Sequence, residues 1–163
     1  MNIRLEKFSA NDFSHYFSLV SNEKVMAMIT ERAIQEDEAE MDFKKILENN
    51  SLLPHFGNFK ILDASSERFI GLAKLEIKED DMTKAELGYM ILPEYWGKRI
   101  ASFVAKQLIQ IAISQKVLRK LFAIIDPKNI PSRKVLVNNG FVSKEFKDFD
   151  GLPGEILELR MKN

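Results

Sequence analysis

The sequence predicts one domain of mixed α and β structure, with about six or seven strands in a mostly antiparallel sheet. One central parallel pair and helices on both faces complete this prediction. Strand-like segments follow one another before residue 92, a long amphipathic segment follows a glycine-containing turn, and a short continuous apolar run comes next. A strand that is reached through a helix lies most simply parallel to the strand before that helix.

Composition limits the classes of function. The chain has 163 residues without an internal repeat or a Pro/Gly/Ser-rich linker, so we expect one domain over residues 1–163. The formal net charge is zero, which favours neither nucleic acid nor a membrane as a partner. The absence of cysteine excludes disulfides, cysteine-bound metal and a thiol nucleophile. With no signal-peptide pattern and no apolar run of ~20 residues, we expect a cytoplasmic protein.

The first part of the chain alternates between strand and helix patterns. Residues 3–8 form a short alternating strand, and Phe13, Tyr16 and Val20 share one face of the helix that follows. A second helix is predicted over residues 34–49, with its acidic residues concentrated in the first turns. These acids favour the positive end of the helix dipole, while attraction of a cationic acceptor is the alternative.

Three strands are predicted next. Residues 58–63 and 68–78 form a hairpin, residues 80–83 form a turn, and residues 85–92 form the third strand. On that last strand Glu86 and Met90 share one face. Because short turns connect the three strands, we expect consecutive antiparallel pairing.

The turn after residue 92 is a predicted anion site. A helix is predicted over residues 100–115, and its first turn presents unpaired backbone N–H groups and the positive end of a dipole. Gly97 allows a ligand to approach the backbone closely, and Lys98 and Arg99 add positive charge. The pattern therefore favours a phosphate or pyrophosphate ligand.

The last third of the chain is predicted to add a buried strand, a helix and a hairpin. The apolar run at residues 121–125 is typical of a strand that is covered on both faces. Asn129 is the predicted N-cap of the next helix, and Gly140 ends it. Residues 142–149 and 155–161 then form the terminal hairpin.

Two motifs resemble the GCN5-related N-acetyltransferase (GNAT) family, especially the branch of the ribosomal-protein N-terminal acetyltransferases. The family has Arg/Gln-x-x-Gly-x-Gly/Ala at the turn, and this sequence has WGKRIA, so that Trp96 replaces Arg/Gln and Arg99 replaces the central Gly. Asn129-x-x-Ser132 followed by Gly-Phe resembles the second motif. The resemblance covers essentially the whole chain and implies the predicted fold.

The resemblance implies acetyl-CoA as cosubstrate, with its pyrophosphate at the turn. The residues implied in cofactor binding comprise three groups: backbone groups of the strand at Met90, Ile91 and Leu92, which would contact pantetheine and the oxyanion; turn residues Gly97, Lys98, Arg99, Ile100, Ala101 and Ser102; and Asn129 and Lys134 on the next helix. We expect helical backbone angles at Arg99, because Ile100 and Ala101 already continue a helix; in the alternative, a positive φ, Arg99 would cost roughly 1 kcal/mol. An exposed helix lysine is the alternative for Lys134.

Acetyl transfer to an amine needs a neutral amine, a stabilised oxyanion and a proton for the leaving thiolate. Glu86 is the candidate base, with an ion pair or solvent exposure as the alternative. Leu136 stands where many family members have a tyrosine acid. Ser132 stands where some members of the ribosomal-protein branch use a serine as the acid, so the resemblance implies that role for it, with backbone capping as the alternative. Tyr89 and Tyr95 are other candidates.

The resemblance implies direct acetyl transfer to a primary amine, which is either a protein or peptide N-terminus or a small molecule. We expect the acceptor to contact residues 30–58 and 148–155, with Asp148 and Asp150 as either ammonium ligands or plain turn residues. A CoA-binding module without catalysis and a ligand-free interaction domain are the alternative functions. No metal site is predicted, since His15 and His55 lack ligand spacing, and a homodimer is left open.

Overall fold

The computed structural model describes residues 1–78 and 80–162. Its centre is a sheet of seven strands in the order β1-β2-β3-β4-β5-β7-β6. β4 and β5 are parallel, and the other neighbouring strands are antiparallel, as predicted. The strands are β1 (Ile3–Lys7), β2 (Gly57–Asp63), β3 (Phe69–Lys78), β4 (Asp81–Ile91), β5 (Lys120–Ile125), β6 (Val142–Phe149) and β7 (Leu152–Arg160).

Five α-helices surround the sheet in the described part of the chain. They are α1 (Phe13–Val20), α2 (Glu23–Met26), α3 (Glu36–Asn50), α4 (Ile100–Ile113) and α5 (Ile130–Asn138), with single 3-10 turns at Ala10–Asp12 and Pro93–Tyr95. The sequence did not predict α2. Its four residues are too few to show helical periodicity, and the Asn22 side chain caps it by accepting from the N–H groups of Lys24 and Val25.

Helices cover both faces of the sheet, as predicted. On one face, Val104 and Leu108 of α4 are fully buried and belong to the same core as Ala85 and Leu87 of β4. α5 joins this layer through the buried side chain of Leu136. On the other face, α1, α2 and α3 form a second core over Leu72 of β3 and Phe8. The sheet therefore separates two apolar layers.

β4 begins earlier than the sequence predicts. Residues 80–83 were expected to form a turn, but β4 starts at Asp81, which pairs with Lys78 across an irregular register. The prediction was wrong because the polar side chains of Asp81 and Thr83 suggest a turn. Thr83 donates its backbone N–H to the Asp81 carboxylate over 2.9 Å within the strand itself.

The parallel strands β4 and β5 separate soon after they meet. Among the described residues, their register consists of Lys84 with Lys120, Ala85 with Leu121, and Glu86 with Phe122. β4 then continues along β3 to Ile91, while β5 continues along β7 to Ile125. A gap consequently opens between the central strands, and it determines where the candidate site lies.

Candidate active site

A cleft of about 1070 Å³ occupies the gap between β4 and β5. Its lining comes from both faces of the sheet. The turn before α4 and the start of α5 contribute Tyr95, Gly97, Ala101, Asn129 and Ser132, and α1 and α3 contribute Tyr16, Glu38 and Asp42. The cleft therefore has two sides, which we call the turn side, next to α4 and α5, and the helix side, under α1, α2 and α3.

The turn before α4 has left-handed backbone angles at two positions. Gly97 has φ +77°, and Arg99, the N-cap of α4, has φ 63° and ψ 18°. The expectation of helical angles at Arg99 was wrong. An N-cap lies outside the helix, so the helical residues Ile100 and Ala101 do not constrain its backbone. A side chain in this conformation costs about 1–2 kcal/mol, which glycine would avoid.

Part of the predicted cofactor set lines the cleft. Gly97, Ile100 and Ala101 do so, whereas Lys98, Arg99 and Ser102 are not lining residues. Lys98 and Arg99 are exposed, and the Lys98 ammonium lies 5.7 Å from the centre of the Tyr95 ring. The two cations thus lie on the outer surface of the turn. Their positive charge acts there rather than inside the cleft.

Trp96, which replaces the family's Arg/Gln, fixes the turn to β4. Its indole Nε1 donates to the backbone oxygen of Ile91 over 2.8 Å. In a strand, the C=O and N–H of one residue point towards the same edge. The backbone groups of Ile91 therefore point away from β3 and towards the gap.

The backbone N–H of Leu92 cannot serve as predicted. It donates to the Ile70 oxygen over 2.9 Å, so it belongs to the ladder with β3. Alternation along an antiparallel ladder directs the N–H of Met90 towards β3 as well. Met90 and Ile91 both line the cleft, and Ile91 is the one whose amide points into the gap.

Tyr89 of β4 and Ser132 of α5 meet in the cleft. The Tyr89 hydroxyl donates to Ser132 Oγ over 3.3 Å, and Asn129 caps α5 by accepting from the Ser132 N–H over 3.3 Å. Burial raises the pKa of Tyr89, although its hydrogen bond to Ser132 opposes that shift. The phenol therefore stays protonated at neutral pH and can donate a proton.

α5 is held in place by an ion pair to a buried carboxylate. Arg133 donates through Nε to both carboxylate oxygens of Glu155 on β7, each over 3.2 Å, and Glu155 is fully buried. This contact fixes the first turn of α5, and Ser132 with it. Lys134, which was predicted near the cofactor, is exposed and does not line the cleft, whereas Lys128 does.

Glu86 lines the cleft between two lysines. Lys74 and Lys78 each place an ammonium 3.1 Å from one of its carboxylate oxygens. Burial alone would raise the pKa of Glu86, but these two ammonium groups hold it below its usual range. A base works best when its pKa lies near the working pH. The structure therefore disfavours the predicted role of Glu86 as general base and favours the alternative, an ion pair.

The helix side includes only one of the two segments predicted to contact the acceptor. Within residues 30–58, Thr30, Ile34 and Asn58 line the cleft together with Glu38 and Asp42 of α3. Asp148 and Asp150 do not line it. Asp148 accepts from the Gly151 N–H over 2.9 Å, and Asp150 has φ 51° in the same turn. The structure therefore favours the alternative role of Asp148 and Asp150, as turn residues of the β6–β7 hairpin.

Several lining residues were not predicted from sequence. Lys74 and Glu76 of β3 face the same side as Glu86, and Glu76 accepts from the Asn58 amide over 2.9 Å. The strand alternation in the sequence could have identified them once the register of β3 against β4 was known. Tyr16 was assigned only to a core face.

Metal-binding and membrane-spanning features are absent from residues 1–78 and 80–162. No cluster of three or more His, Asp or Glu residues is arranged there to hold a metal ion. No helix in those ranges has the length and apolar character needed to cross a bilayer.

Comparison with known proteins gives consistent matches. The family model described as acetyltransferase (GNAT) domain matches residues 2–142. The uncharacterized N-acetyltransferase p20 of Bacillus licheniformis is 25% identical over 121 residues, which are 74% of this chain and 68% of that protein. A GNAT-family acetyltransferase from Bacillus anthracis superposes with a TM-score of 0.80 at 18% identity, over 98% of this chain and 95% of that one. Spermidine N-acetyltransferase from Vibrio cholerae, in complex with CoA and spermine, has the same TM-score and coverage at 21% identity.

Proposed function

Because the chain belongs to the GNAT acetyltransferase family, we propose that it transfers an acetyl group from acetyl-CoA directly to a primary amine. The observation that carries the proposal is the cleft that runs through the gap between β4 and β5. Its turn side offers an anion site, and its helix side offers room for an acceptor. Two substrates that enter from opposite faces of the sheet can therefore meet at the gap.

The cofactor's pyrophosphate is proposed to bind the turn before α4. The amides of Gly97 to Ser102 include N–H groups that the helix leaves unpaired, and α4 directs the positive end of its dipole towards them. Exposed Lys98 and Arg99 attract the anion without entering the cleft. Asn129 and Lys128 line the turn side near α5.

The transfer is proposed to be one nucleophilic displacement. The neutral amine nitrogen attacks the thioester carbonyl to form a tetrahedral oxyanion. When this intermediate collapses, the C–S bond breaks and the thiolate of CoA leaves, while the nitrogen releases one proton to solvent, from which the proton donor to the thiolate is restored. The N–H of Ile91 is the proposed donor to the oxyanion, since it points into the gap. The Tyr89 hydroxyl, with Ser132 beside it, is the proposed source of the thiolate's proton. The absence of cysteine excludes a cysteinyl acyl-enzyme and supports this direct route.

The acceptor is proposed to react as the neutral amine. Glu86 is a weak base because Lys74 and Lys78 stabilise its anion. We therefore assign Glu86 to positioning Lys74 and lowering the local positive charge, while the amine loses its proton to solvent. The rate at subsaturating amine should then rise with pH towards the pKa of the amine itself.

The acceptor is proposed to be a small-molecule amine, because α1, α2 and α3 form a wall over the helix side. Spermidine N-acetyltransferase, which shares this fold, is a relative with a small amine acceptor by its name. A protein or peptide N-terminus is the competing acceptor class from the sequence. Both classes belong in one panel of substrates.

Two measurements test the proposal. Acetyl-CoA at 100-fold above its dissociation constant should stabilise the protein by about 2.7 kcal/mol, which thermal denaturation detects. Initial rates with amines and peptides should then show turnover, with intersecting double-reciprocal plots. Stabilisation without any turnover would support a CoA-binding module instead. The absence of stabilisation by acetyl-CoA would refute the cofactor assignment, and parallel plots would refute direct transfer.

A further inference from the structure

Tyr16 is a buried residue on the helix side that the proposed transfer does not use. Only 6% of its surface is exposed, yet it lines the cleft. Its ring is fixed against Phe8 and Phe43, at centroid distances of 6.4 and 5.4 Å. Its hydroxyl makes no hydrogen bond to residues 1–78 or 80–162. Buried hydroxyls are normally paired, so this one is available to a ligand.

Two carboxylates of α3 lie near the Tyr16 hydroxyl. Glu38 and Asp42 are one helical turn apart, both are partly buried, and both line the cleft. Burial, followed by the negative charges of Asp42 and Glu38, raises the pKa of Tyr16 to about 12. Glu38 pairs with Arg32 over 2.9 Å, whereas Asp42 has no ion pair within the described ranges. Asp42 and Tyr16 thus form an acidic site with unused acceptor capacity.

Lys74, Glu76 and Glu86 share the sheet face of Leu72 and Met90 and line the helix side near the gap. The walls of the helix side under α1, α2 and α3 are mainly apolar. Val20, Met26, Ile34, Ile46, Leu72 and Met90 line this side. Lys24 and Lys45 also line the cleft, but both are exposed, so water and salt screen their charges more than that of the partly buried Asp42 carboxylate. An aliphatic segment suits these walls, and a cation suits the acidic site.

We propose that the acceptor carries a second basic group, which binds Asp42, Glu38 and the Tyr16 hydroxyl, joined by an aliphatic segment to the amine that is acetylated. An ammonium can donate to the Asp42 carboxylate and to the Tyr16 oxygen at once. The substrate class is accordingly an aliphatic diamine or polyamine. This inference rests on the proposed function, because the reacting amine is placed at the gap.

The experiment compares three series of acceptors of matched length: straight-chain α,ω-diamines from propane to octane, the corresponding monoamines, and ω-amino acids. Wild-type protein should prefer the best diamine to its monoamine by about tenfold or more in kcat/KM, since a charge-assisted contact is worth that much. Asp42→Asn should abolish most of this preference, mainly through KM. Tyr16→Phe keeps the ring and should reduce the preference by a smaller factor.

Glu40→Gln is the matched control, because Glu40 lies on the same helix, is exposed and does not line the cleft. It should keep the wild-type preference. Thermal denaturation with the diamine and CoA gives a second readout that needs no turnover: the diamine should stabilise wild type and Glu40→Gln but not Asp42→Asn.

Equal use of diamines and monoamines by wild type would overturn the inference, as would a preference for ω-amino acids, which would point to Lys24 and Lys45. Loss of the preference in Glu40→Gln as well as in Asp42→Asn would also overturn it, because a bulk charge effect would explain both. In each case, turnover of monoamines would leave the proposed function standing. Absence of turnover with every amine would instead refute the proposed function.

Discussion

Gly97→Ala tests the turn before α4, because backbone strain and ligand contact can be separated there. Gly97 has φ +77°, and a Cβ at this position would meet no atom within 4 Å. The substitution therefore causes no clash in the folded protein. Its cost comes from the left-handed backbone alone, about 1–2 kcal/mol. For a chain of this size the melting temperature should fall by roughly 2–8 °C.

Acetyl-CoA affinity should fall by more than this strain explains. If the amides of the turn bind the pyrophosphate, the new methyl group occupies space beside them and weakens at least one charge-assisted hydrogen bond. The loss of such a bond, about 1.5–3 kcal/mol, corresponds to a roughly ten- to hundredfold rise in the dissociation constant. Isothermal titration calorimetry with acetyl-CoA measures this change directly.

Gly151→Ala is the matched control. Gly151 has φ +89° in the hairpin between β6 and β7, and a Cβ added there would likewise meet nothing within 4 Å. Since Gly151 does not line the cleft, this variant should lose similar stability and keep the wild-type affinity for acetyl-CoA. Unchanged affinity in folded Gly97→Ala, or an equal loss in both variants, would refute the placement of the pyrophosphate.

Three further substitutions test the proposed acid, the role of Glu86 and the ion pair that anchors α5. Tyr89→Phe should lower kcat by about a hundredfold in steady-state assays, because the phenolic proton is lost; a kcat close to that of wild type would leave Ser132 as the acid. Glu86→Gln should keep the acid limb of the pH–rate profile, and a flattened limb would restore Glu86 as base. Because the folded-state pKa of Glu86 is lowered, its contribution to stability is present at neutral pH and lost as the pH falls through that pKa. Urea denaturation should thus find Glu86→Gln less stable than wild type at neutral pH, with the difference vanishing in acid. Glu155→Gln should cost about 1–3 kcal/mol, since the buried partner of Arg133 loses its charge; an unchanged urea midpoint would contradict this.

Sequence patterns were sufficient to predict the succession of strands and long helices along the chain, since apolar residues recur with the period of each element. The parallel pairing of β4 with β5 followed from the helix between them. The side-chain chemistry of short segments was a poorer guide to where elements begin. The polar side chains of Asp81 and Thr83 satisfy a backbone N–H inside β4 as they would in a turn, and four residues of α2 contain too little periodicity to detect.

The candidate site was predictable where motifs specify it and not where packing does. Gly97, Asn129 and Ser132 occupy the expected elements, whereas the left-handed angles of Arg99 carry no glycine signal in the sequence. The ion pair of Glu86 depends on the register of β3 against β4, which places Lys74 opposite Gly88. A Cβ at Gly88 would lie 3.1 Å from Lys74 Cε, so glycine leaves the lysine room to cross the strand.

The short pairing between β4 and β5 also has a consequence for local opening of the folded protein. The sheet consists of two well-paired parts: β1, β2, β3 and β4 form one, and β5, β7 and β6 form the other. The two parts meet where Lys84, Ala85 and Glu86 of β4 pair with β5. A junction with so few backbone bonds should open at a lower free energy than either part unfolds. A cofactor that contacts both β4 and α5 would then stabilise the closed form of that junction. Acetyl-CoA binding should accordingly slow amide hydrogen exchange in β5, even at residues the cofactor does not touch.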